Sequence, residues 1–263
     1  MPEGHTVHRT AGQFKKHFAG KQIEITSPQG RFSDAALISG SKLLKAEAWG
    51  KQLFLTFEPA VLRIHLGIYG KWGWSSFEDG PNEPRGQVRA RFLSESQVAD
   101  LRGPTACELL DKDAVKLVTS KLGPDPLRPD SKGVERNRFI ERVTRSKVTI
   151  GQLLMDQSVL AGVGNVYRAE LLFRARINPQ TPGSVIPGEL VGTIWDDAVT
   201  LMEIGVKRGI MLTRDGFLKG QVNKANRYYA YKREGMPCRE CGREISIALM
   251  ATRKLYWCAG CQS

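Results

Sequence analysis

Residues 238–261 read CRECGREISIALMATRKLYWCAGC, and this stretch decides the fold of the C-terminal end of the chain. It contains two CxxC pairs, Cys238 with Cys241 and Cys258 with Cys261. Each pair presents two thiolates from one short turn, and four thiolates complete the tetrahedral shell of a structural zinc ion. The sequence therefore predicts a zinc finger that binds Zn2+ and has a β-hairpin between its cysteine pairs.

The opposite end of the chain begins Met1-Pro2-Glu3. Removal of Met1 leaves the secondary amine of Pro2 beside a carboxylic acid. An α-amino group has a pKa of about 7.7–8.0, against about 10.4 for lysine, so it is neutral far more often at pH 7. A neutral amine attacks carbon at the aldehyde oxidation level and forms an iminium, which withdraws electrons from neighbouring bonds. The N-terminus is therefore a candidate nucleophile.

Size and composition indicate a globular protein with two domains. The chain has 263 residues, of which 41% are hydrophobic, and this length is enough to bury two cores. No apolar run of about 18 residues is present, which predicts no membrane span. The start lacks a signal peptide, which predicts a cytoplasmic protein. Four of the five cysteines have metal-ligand spacing and Cys107 stands alone, as suits a reducing compartment.

The charge of the chain is positive and uneven. Its net charge is +12, and residues 131–263 hold 21 Lys and Arg against 12 Asp and Glu. Residues 1–130 hold 18 against 15. A basic C-terminal half points to a polyanionic partner that binds through its phosphates, although charge alone is equally compatible with a protein that is merely basic.

Periodicity predicts an α+β protein. Apolar residues at helical spacing predict a helix over 5–18. Short β-rich runs separated by turns then predict a β-sandwich with strands at 22–26, 43–49, 52–57, 61–66 and 88–93, and the run 61–66 alternates with period two. Three prolines and two glycines at 122–133 predict a linker. Helical patterns follow at 134–145, 149–157, 166–176 and 187–205, and a basic stretch, 207–233, leads to the cysteines.

Four motifs, taken together, resemble the formamidopyrimidine-DNA glycosylase/endonuclease VIII family of base-excision repair enzymes. They are Pro2-Glu3, Gly50-Lys51, the GVGN turn at Gly162–Asn165, and the four cysteines. The resemblance covers nearly the whole chain. It implies an N-terminal helix with a β-sandwich, a helical domain containing a helix-two-turn-helix element, and a zinc finger. The implied divisions are a catalytic domain, a linker, a DNA-binding domain and the finger, at 1–121, 122–133, 134–232 and 233–263.

The resemblance implies a bifunctional DNA glycosylase and abasic-site lyase. The Pro2 nitrogen would attack C1′ of the damaged nucleotide, and Glu3 would protonate the sugar ring oxygen. The resulting Schiff base would allow β-elimination and then δ-elimination. Lys51 would bind phosphate and handle protons at the active site, although a strand-start lysine more often points to solvent.

Further residues of the family pattern imply contacts to damaged DNA. His65 would contact phosphate, although a strand histidine is more often structural. Ile68 and Tyr69 would fill the gap left by an extruded base, against the alternative of a turn residue and a core aromatic. Asn165 would cap a helix and turn its amide towards phosphate. Arg253, on the predicted hairpin, would clamp phosphate, whereas in most zinc ribbons such a residue is simply exposed.

Two positions depart from the purine-directed branch of the family. That branch usually has Glu where this chain has Thr6, and Lys where this chain has Gly151. Residues 94–108 also contain no clear counterpart of its Arg/Phe wedge loop. These departures favour the endonuclease VIII branch, with oxidised pyrimidines and abasic sites as substrates.

The alternative is a non-catalytic zinc-finger protein that binds DNA on the same scaffold. The enzyme requires a free Pro2 amine, whereas the binding protein does not, so retention of Met1 distinguishes the two. As an enzyme, the chain is expected to act as a monomer on damaged DNA in the cytoplasm, associated with the nucleoid.

Overall fold

A computed structural model describes residues 2–217 and 223–263, so Met1 and part of the basic stretch 207–233 lie outside the described residues. The chain divides into two compact units, residues 1–120 and 121–263. Neither described range contains a helix of the length and apolarity that a membrane crossing requires.

From Pro2 onwards, the N-terminal unit forms one long helix, two four-stranded sheets and two short helices. Its helices are α1 (Gly4–His17), α2 (Ala35–Ile38) and α3 (Lys112–Ser120). Its strands are β1 (Glu24–Thr26), β2 (Leu43–Trp49), β3 (Gln52–Phe57), β4 (Val61–His65), β5 (Lys71–Ser76), β6 (Ala90–Leu93), β7 (Gln97–Arg102) and β8 (Ala106–Leu110). The sheets have the strand orders β1-β6-β7-β5 and β2-β3-β4-β8, and all their pairings are antiparallel.

Helix α1 packs against both sheets through its apolar face. Phe14 is buried, and its ring centroid lies 5.1 Å from those of Trp72 and Trp74 and 5.5 Å from that of Phe92. The same face contributes Val7 and Ala11 to the core. Because β2 and β3 pack directly on α1, the start of the chain is held against the sheet that carries Lys51 and His65.

The described residues of the C-terminal unit form four α-helices, three short 3-10 helices and one β-hairpin. The α-helices are α4 (Val134–Thr144), α5 (Ile150–Leu153), α6 (Asn165–Arg174) and α7 (Gly188–Arg208), and the hairpin strands are β9 (Ile245–Met250) and β10 (Arg253–Cys258). One core joins the helices around Phe139, Tyr167 and Trp195. A second core packs Phe173 of α6 against Ile245 and Tyr256 of the hairpin, so the helix supports the predicted finger.

The predicted elements at 43–49 and 52–57 have the observed bounds, and the hairpin between the cysteine pairs is confirmed. The helix predicted at 149–157 is wrong beyond Leu153. There, Asp156 accepts hydrogen bonds from the backbone and hydroxyl of Ser158, and Gln157 bonds the carbonyl of Val163. Such side-chain bonds to local groups compete with helical ones, so the chain turns instead.

Candidate active site and metal centre

At the start of α1, the buried carboxyl of Glu3 belongs to the residue that directly follows Pro2. Glu3 is 0% exposed, has extended backbone angles, and immediately precedes α1. Its carbonyl accepts the Thr6 amide at 2.9 Å, which fixes the turn into the helix. Pro2 is only half-buried. This arrangement leaves the ring of Pro2 accessible while its neighbouring acid lies in the interior.

His5, which sequence reasoning did not single out, is also buried in this region. Its side chain is 3% exposed, and its Nε2 lies 3.2 Å from Thr6 Oγ1. Burial, with a smaller contribution from the Arg9 cation, lowers the pKa of His5 to about 4. The imidazole is therefore neutral at physiological pH. Nothing in the sequence distinguishes a buried, neutral histidine at the second residue of a helix from an exposed one.

This shift predicts that the N-terminal unit loses stability in mild acid. The unfolded chain takes up the His5 proton near pH 6.5, whereas the folded chain resists it until about pH 4. Stability from this group is present above pH 6.5 and is lost as the pH falls towards 4, by about 3 kcal/mol in total. Urea unfolding at pH 7 and at pH 4.5, followed by amide hydrogen exchange in β2 and β3, measures the loss in the free energy of unfolding of this unit. His5→Gln should flatten the pH dependence and His17→Gln should not; equal slopes in all three proteins would contradict the assignment.

Lys51 and His65 lie close together at one end of the β2–β3–β4 sheet. Gly50, at a φ of 56°, makes the turn into β3, and Lys51 follows it half-buried. His65 pairs with Gln52 in the register of β3 and β4. Burial is the main cause that lowers the pKa of His65, and the cations of Arg63 and Lys51 lower it further. A cationic neighbourhood of this kind attracts phosphate.

The hydrogen bonds of His65 fix its ring. The Thr105 hydroxyl donates to the His65 carbonyl at 3.0 Å, and Thr105 Oγ1 lies 2.7 Å from His65 Nδ1. Since the hydroxyl proton is directed at the carbonyl, Nδ1 is the donor of the shorter bond. The outer nitrogen, Nε2, then becomes a hydrogen-bond donor only after it has taken up a proton.

Ile68 and Tyr69 project from a tight turn after β4. Their side chains are 41% and 85% exposed, so the alternative of a core aromatic is wrong for Tyr69. The turn requires glycine on both sides: Gly67 has a φ of 63°, and a Cβ on Gly70 would collide with the backbone of Leu66. The geometry thus presents two large apolar side chains to solvent.

The prediction that Asn165 caps a helix is wrong. Gly164 is the N-cap of α6, and Asn165 is the first helical residue. Its Nδ2 donates to the Lys254 carbonyl at 2.9 Å, and its Oδ1 accepts from Arg168. The GVGN turn does lie between α5 and α6, as expected. The amide of Asn165 is held by the hairpin, because a buried polar group must find a partner.

Arg168 was missed in the sequence although it organises this part of the site. Its side chain is fully buried and also donates to the carbonyls of Lys254 at 3.1 Å and Gly151 at 3.5 Å. One guanidinium therefore joins α6, α5 and the hairpin. A charged residue followed by helix formers looks in sequence like a solvent-facing position, so only tertiary structure identifies it.

Gly151 lies where a side chain has no room. A Cβ there would be 2.9 Å from the Pro179 carbonyl oxygen and 2.7 Å from Met250 Sδ. The Met250 side chain is flexible, but the Pro179 backbone is not. Position 151 therefore requires glycine, because α5 lies so close to the loop at Pro179 that a lysine side chain is excluded.

The four predicted cysteines converge on one point. All four sulfur atoms lie within 4.8 Å of one another, with Cys241–Cys258 at 3.4 Å and Cys238–Cys261 at 3.8 Å. Four thiolates around one zinc, at a Zn–S distance of about 2.3 Å, stand about 3.8 Å apart. The cysteines thus fit a tetrahedral metal ion. Cys107 lies in β8 of the other unit, and burial raises the pKa of its thiol to about 12.

Arg253 begins β10 at the tip of the hairpin. It pairs with Met250 across a turn in which Ala251 and Thr252 both have positive φ. Its side chain is half-exposed and forms no hydrogen bond or ion pair with the residues that the structure describes. The prediction that a hairpin holds this arginine away from the cysteines is confirmed.

Glu170 is a second buried charge that the sequence did not reveal. It is fully buried and accepts hydrogen bonds from the Thr213 hydroxyl and from three consecutive amides, Tyr229, Ala230 and Tyr231. Four donors to one carboxylate compensate for its desolvation. This residue fixes the segment that enters the cysteine hairpin onto helix α6.

Comparison with known proteins agrees with these features. The family model of the formamidopyrimidine-DNA glycosylase N-terminal domain matches residues 1–107, and that of the H2TH domain matches residues 122–215. Endonuclease 8 1 of Mycobacterium tuberculosis is 46% identical, with 100% of both chains covered. Formamidopyrimidine-DNA glycosylase of Heliobacterium modesticaldum is 30% identical, covering 100% of this chain and 99% of that one.

A solved structure supports the same fold. The Lactococcus lactis Fpg, in complex with DNA containing an abasic site, superposes with a TM-score of 0.79 at 22% identity, covering 99% of each chain. The α+β architecture, the helix-two-turn-helix domain and the four-cysteine cluster all agree with this likeness. The chain belongs to the formamidopyrimidine-DNA glycosylase/endonuclease VIII family, the DNA glycosylase/abasic-site lyases of base-excision repair.

Proposed function

We propose that this protein excises oxidised bases, pyrimidines above all, through a Schiff base on Pro2, and then cleaves the DNA by β,δ-elimination. The observation that carries the proposal is the position of Glu3, fully buried and directly bonded to the half-buried Pro2. A carboxyl removed from water favours its protonated form, which a general acid needs. The Pro2 ring beside it remains accessible to a sugar.

In the proposed reaction, the neutral Pro2 nitrogen attacks C1′ and the bond from C1′ to the base breaks, so that the base leaves with the proton that the Pro2 nitrogen loses. Glu3 protonates the ring oxygen, the bond from C1′ to that oxygen breaks, and the sugar ring opens to the iminium. The iminium that forms makes the C2′ proton acidic. Loss of this proton breaks the bond from C3′ to its phosphate oxygen. A second elimination breaks the bond at C5′, and hydrolysis returns the Pro2 amine.

Two groups of residues would hold the DNA. In the N-terminal unit, Lys51 and His65 bind phosphate, with proton uptake at His65 Nε2, and Lys51 also handles protons during elimination. The exposed Ile68 and Tyr69 fill the gap left by the extruded base.

In the C-terminal unit, Asn165 and Arg253 contact phosphate. Asn165 belongs to the proposed DNA-binding domain, residues 134–232, and Arg253 to the proposed zinc finger, residues 233–263. Asn165 is tied to the hairpin through Lys254, so it acts from a fixed position. The guanidinium of Arg253 suits two phosphate oxygens at once.

The proposed metal is one structural zinc ion bound by the four cysteines. A shell of four thiolates leaves no open position for a catalytic water, so its contribution is folding of the hairpin. The chemistry of the donors supports this assignment, because sulfur ligands in tetrahedral geometry select zinc over harder cations.

The proposed partner is damaged DNA, bound by a monomer associated with the nucleoid. The net charge of +12 supports a polyanionic partner. Oxidised pyrimidines are favoured because Thr6 and Gly151 stand where the purine-directed branch has charged side chains, and because Pro179 excludes any side chain at position 151.

Oxidised pyrimidines should be excised faster than 8-oxoguanine. Unpaired polar atoms on the larger base cost about 1–3 kcal/mol each, or about one to two orders of magnitude in rate. Single-turnover rates on matched duplexes, with 5-hydroxycytosine or thymine glycol against 8-oxoguanine opposite cytosine, provide the measurement. A duplex with a preformed abasic site controls for the lyase step. Faster release of 8-oxoguanine would place the chain in the purine branch.

The alternative function is a zinc-finger protein that binds DNA without cleaving it. It predicts equal DNA affinity with and without Met1 and no strand cleavage in either form. The proposed enzyme instead cleaves abasic DNA only after Met1 has been removed. The position of the buried Glu3 carboxyl next in sequence to the Pro2 nitrogen supports the enzyme.

A further inference from the structure

A polar pocket of about 290 Å³ lies on one face of the sheet β1-β6-β7-β5. Gly73 of β5 pairs with Asp100 of β7, which pairs in turn with Arg91 of β6, so the three residues form a row across the sheet. Their neighbours Trp72 and Phe92 pack into the core on the other face. We call this cavity the Gly73 pocket; Trp74, Arg85 and Arg102 also line it.

Glycine within β5 opens the pocket. A Cβ on Gly73 would lie 2.7 Å from Arg102 Nη1, and no other atom outside its immediate neighbours lies within 3.8 Å of that point. Glycine inside a strand weakens the strand and often marks a place where another group approaches closely. Here the approaching group is the guanidinium of Arg102, which leaves the remaining space open to solvent.

The buried charges of the pocket do not balance. Arg91 and Asp100 are only 5% and 9% exposed, yet Arg91 Nε and Asp100 Oδ1 are 3.6 Å apart and neither atom has a hydrogen-bond partner. Asp100 Oδ2 accepts from Arg102 at 3.0 Å. Arg91 also donates to the Asn82 carbonyl and Arg102 to the Arg85 carbonyl. Two guanidinium groups therefore share the carboxylate of Asp100, while the exposed side chains of Arg85 and Glu83 at the rim contribute one charge of each sign. A buried charge without full compensation is costly unless a ligand supplies the opposite charge.

We propose that the Gly73 pocket binds a small ligand bearing an oxyanion, either a phosphate monoester or a carboxylate. Arginine forks donate paired hydrogen bonds to such groups. The volume is at the small end of ligand cavities, which are about 300–1,000 Å³, and suits one anionic group with a small substituent. None of the lining residues belongs to the proposed DNA-cleaving machinery, so this site goes beyond the proposed function.

The test uses the full-length, zinc-loaded protein. Inorganic phosphate and malonate are titrated separately at constant ionic strength, adjusted with KCl, while tryptophan fluorescence and the thermal unfolding midpoint are recorded. Gly73→Val fills the cavity with a residue that suits a strand, and Arg102→Gln removes one cation. Arg89→Gln, outside the lining, is the matched control. Arg253→Ala removes the phosphate contact proposed for DNA.

The proposal predicts a saturable change with phosphate, malonate or both. The change should be lost or weakened at least tenfold in Gly73→Val and Arg102→Gln and kept in Arg89→Gln and Arg253→Ala. Saturation by phosphate alone identifies a phosphate ligand, and saturation by malonate alone identifies a carboxylate. No response beyond that to KCl overturns the proposal. A response that persists in Gly73→Val, or disappears in Arg253→Ala, also overturns it, because the anion then binds elsewhere.

Discussion

Replacement of Glu3 by Gln is expected to slow the release of an intact oxidised base by about two to four orders of magnitude, the usual contribution of a general acid. Cleavage of a preformed abasic site should fall far less, because no base has to leave. Gln has nearly the size of the fully buried Glu3, so the substitution is expected to remove the acid without opening a cavity. Single-turnover excision and abasic-site cleavage are measured on the same duplex.

Glu24→Gln provides the control for this experiment. Glu24 lies on β1 with an exposed side chain, so the same chemical change there should leave both rates unaltered. Equal losses of base release and abasic-site cleavage in Glu3→Gln would contradict the assigned role, since they would indicate a general defect of the site.

Cys258→Ser is expected to abolish metal binding and to lower DNA affinity by about one to two orders of magnitude. The fourth thiolate completes the shell, and without it β9 and β10 lose the ion that folds them. Arg253 at the hairpin tip then loses its position. The charged hydrogen bonds to DNA phosphate that we propose for it would be lost as well, at a cost of about 1.5–3 kcal/mol. Metal analysis and binding to an uncleavable abasic-site analogue provide the measurements.

Two variants separate the consequences of losing the metal from those of losing a contact. Cys107→Ser should keep the metal and the affinity, because Cys107 lies in the N-terminal unit. Arg253→Ala should keep the metal and lose affinity, with a smaller dependence of binding on salt. Full metal content in Cys258→Ser would contradict the assignment of the four ligands.

The sequence predicted those parts of the molecule that depend on local pattern. Alternation of apolar residues predicted β4, and the spacing of the cysteines predicted their cluster, because periodicity and ligand spacing are properties of short segments. Strand β5 was missed: its residues KWGWSS include a glycine and two serines, and its inward tryptophans become informative only once Phe14 packs against them.

The candidate site was less predictable, because the residues that hold it in place are buried charged residues, which resemble surface residues in the sequence. Arg168 and Glu170 look in sequence like the polar face of α6, yet both are fully buried and bonded to distant segments. Asn165 was expected to cap its own helix and instead bonds Lys254, a residue 89 positions away. Such partners are set by tertiary packing, which no local pattern records.

The central claim is that the Pro2 nitrogen forms the covalent bond to DNA. Borohydride reduction during reaction with an abasic-site oligonucleotide, followed by peptide mapping, tests it most directly, because the reduced Schiff base stays attached to its amine. The protein without Met1 should be trapped in high yield with the adduct on Pro2, and Pro2→Gly should be trapped far less. An adduct mapped to Lys51, or equal trapping with Met1 retained, would contradict the claim.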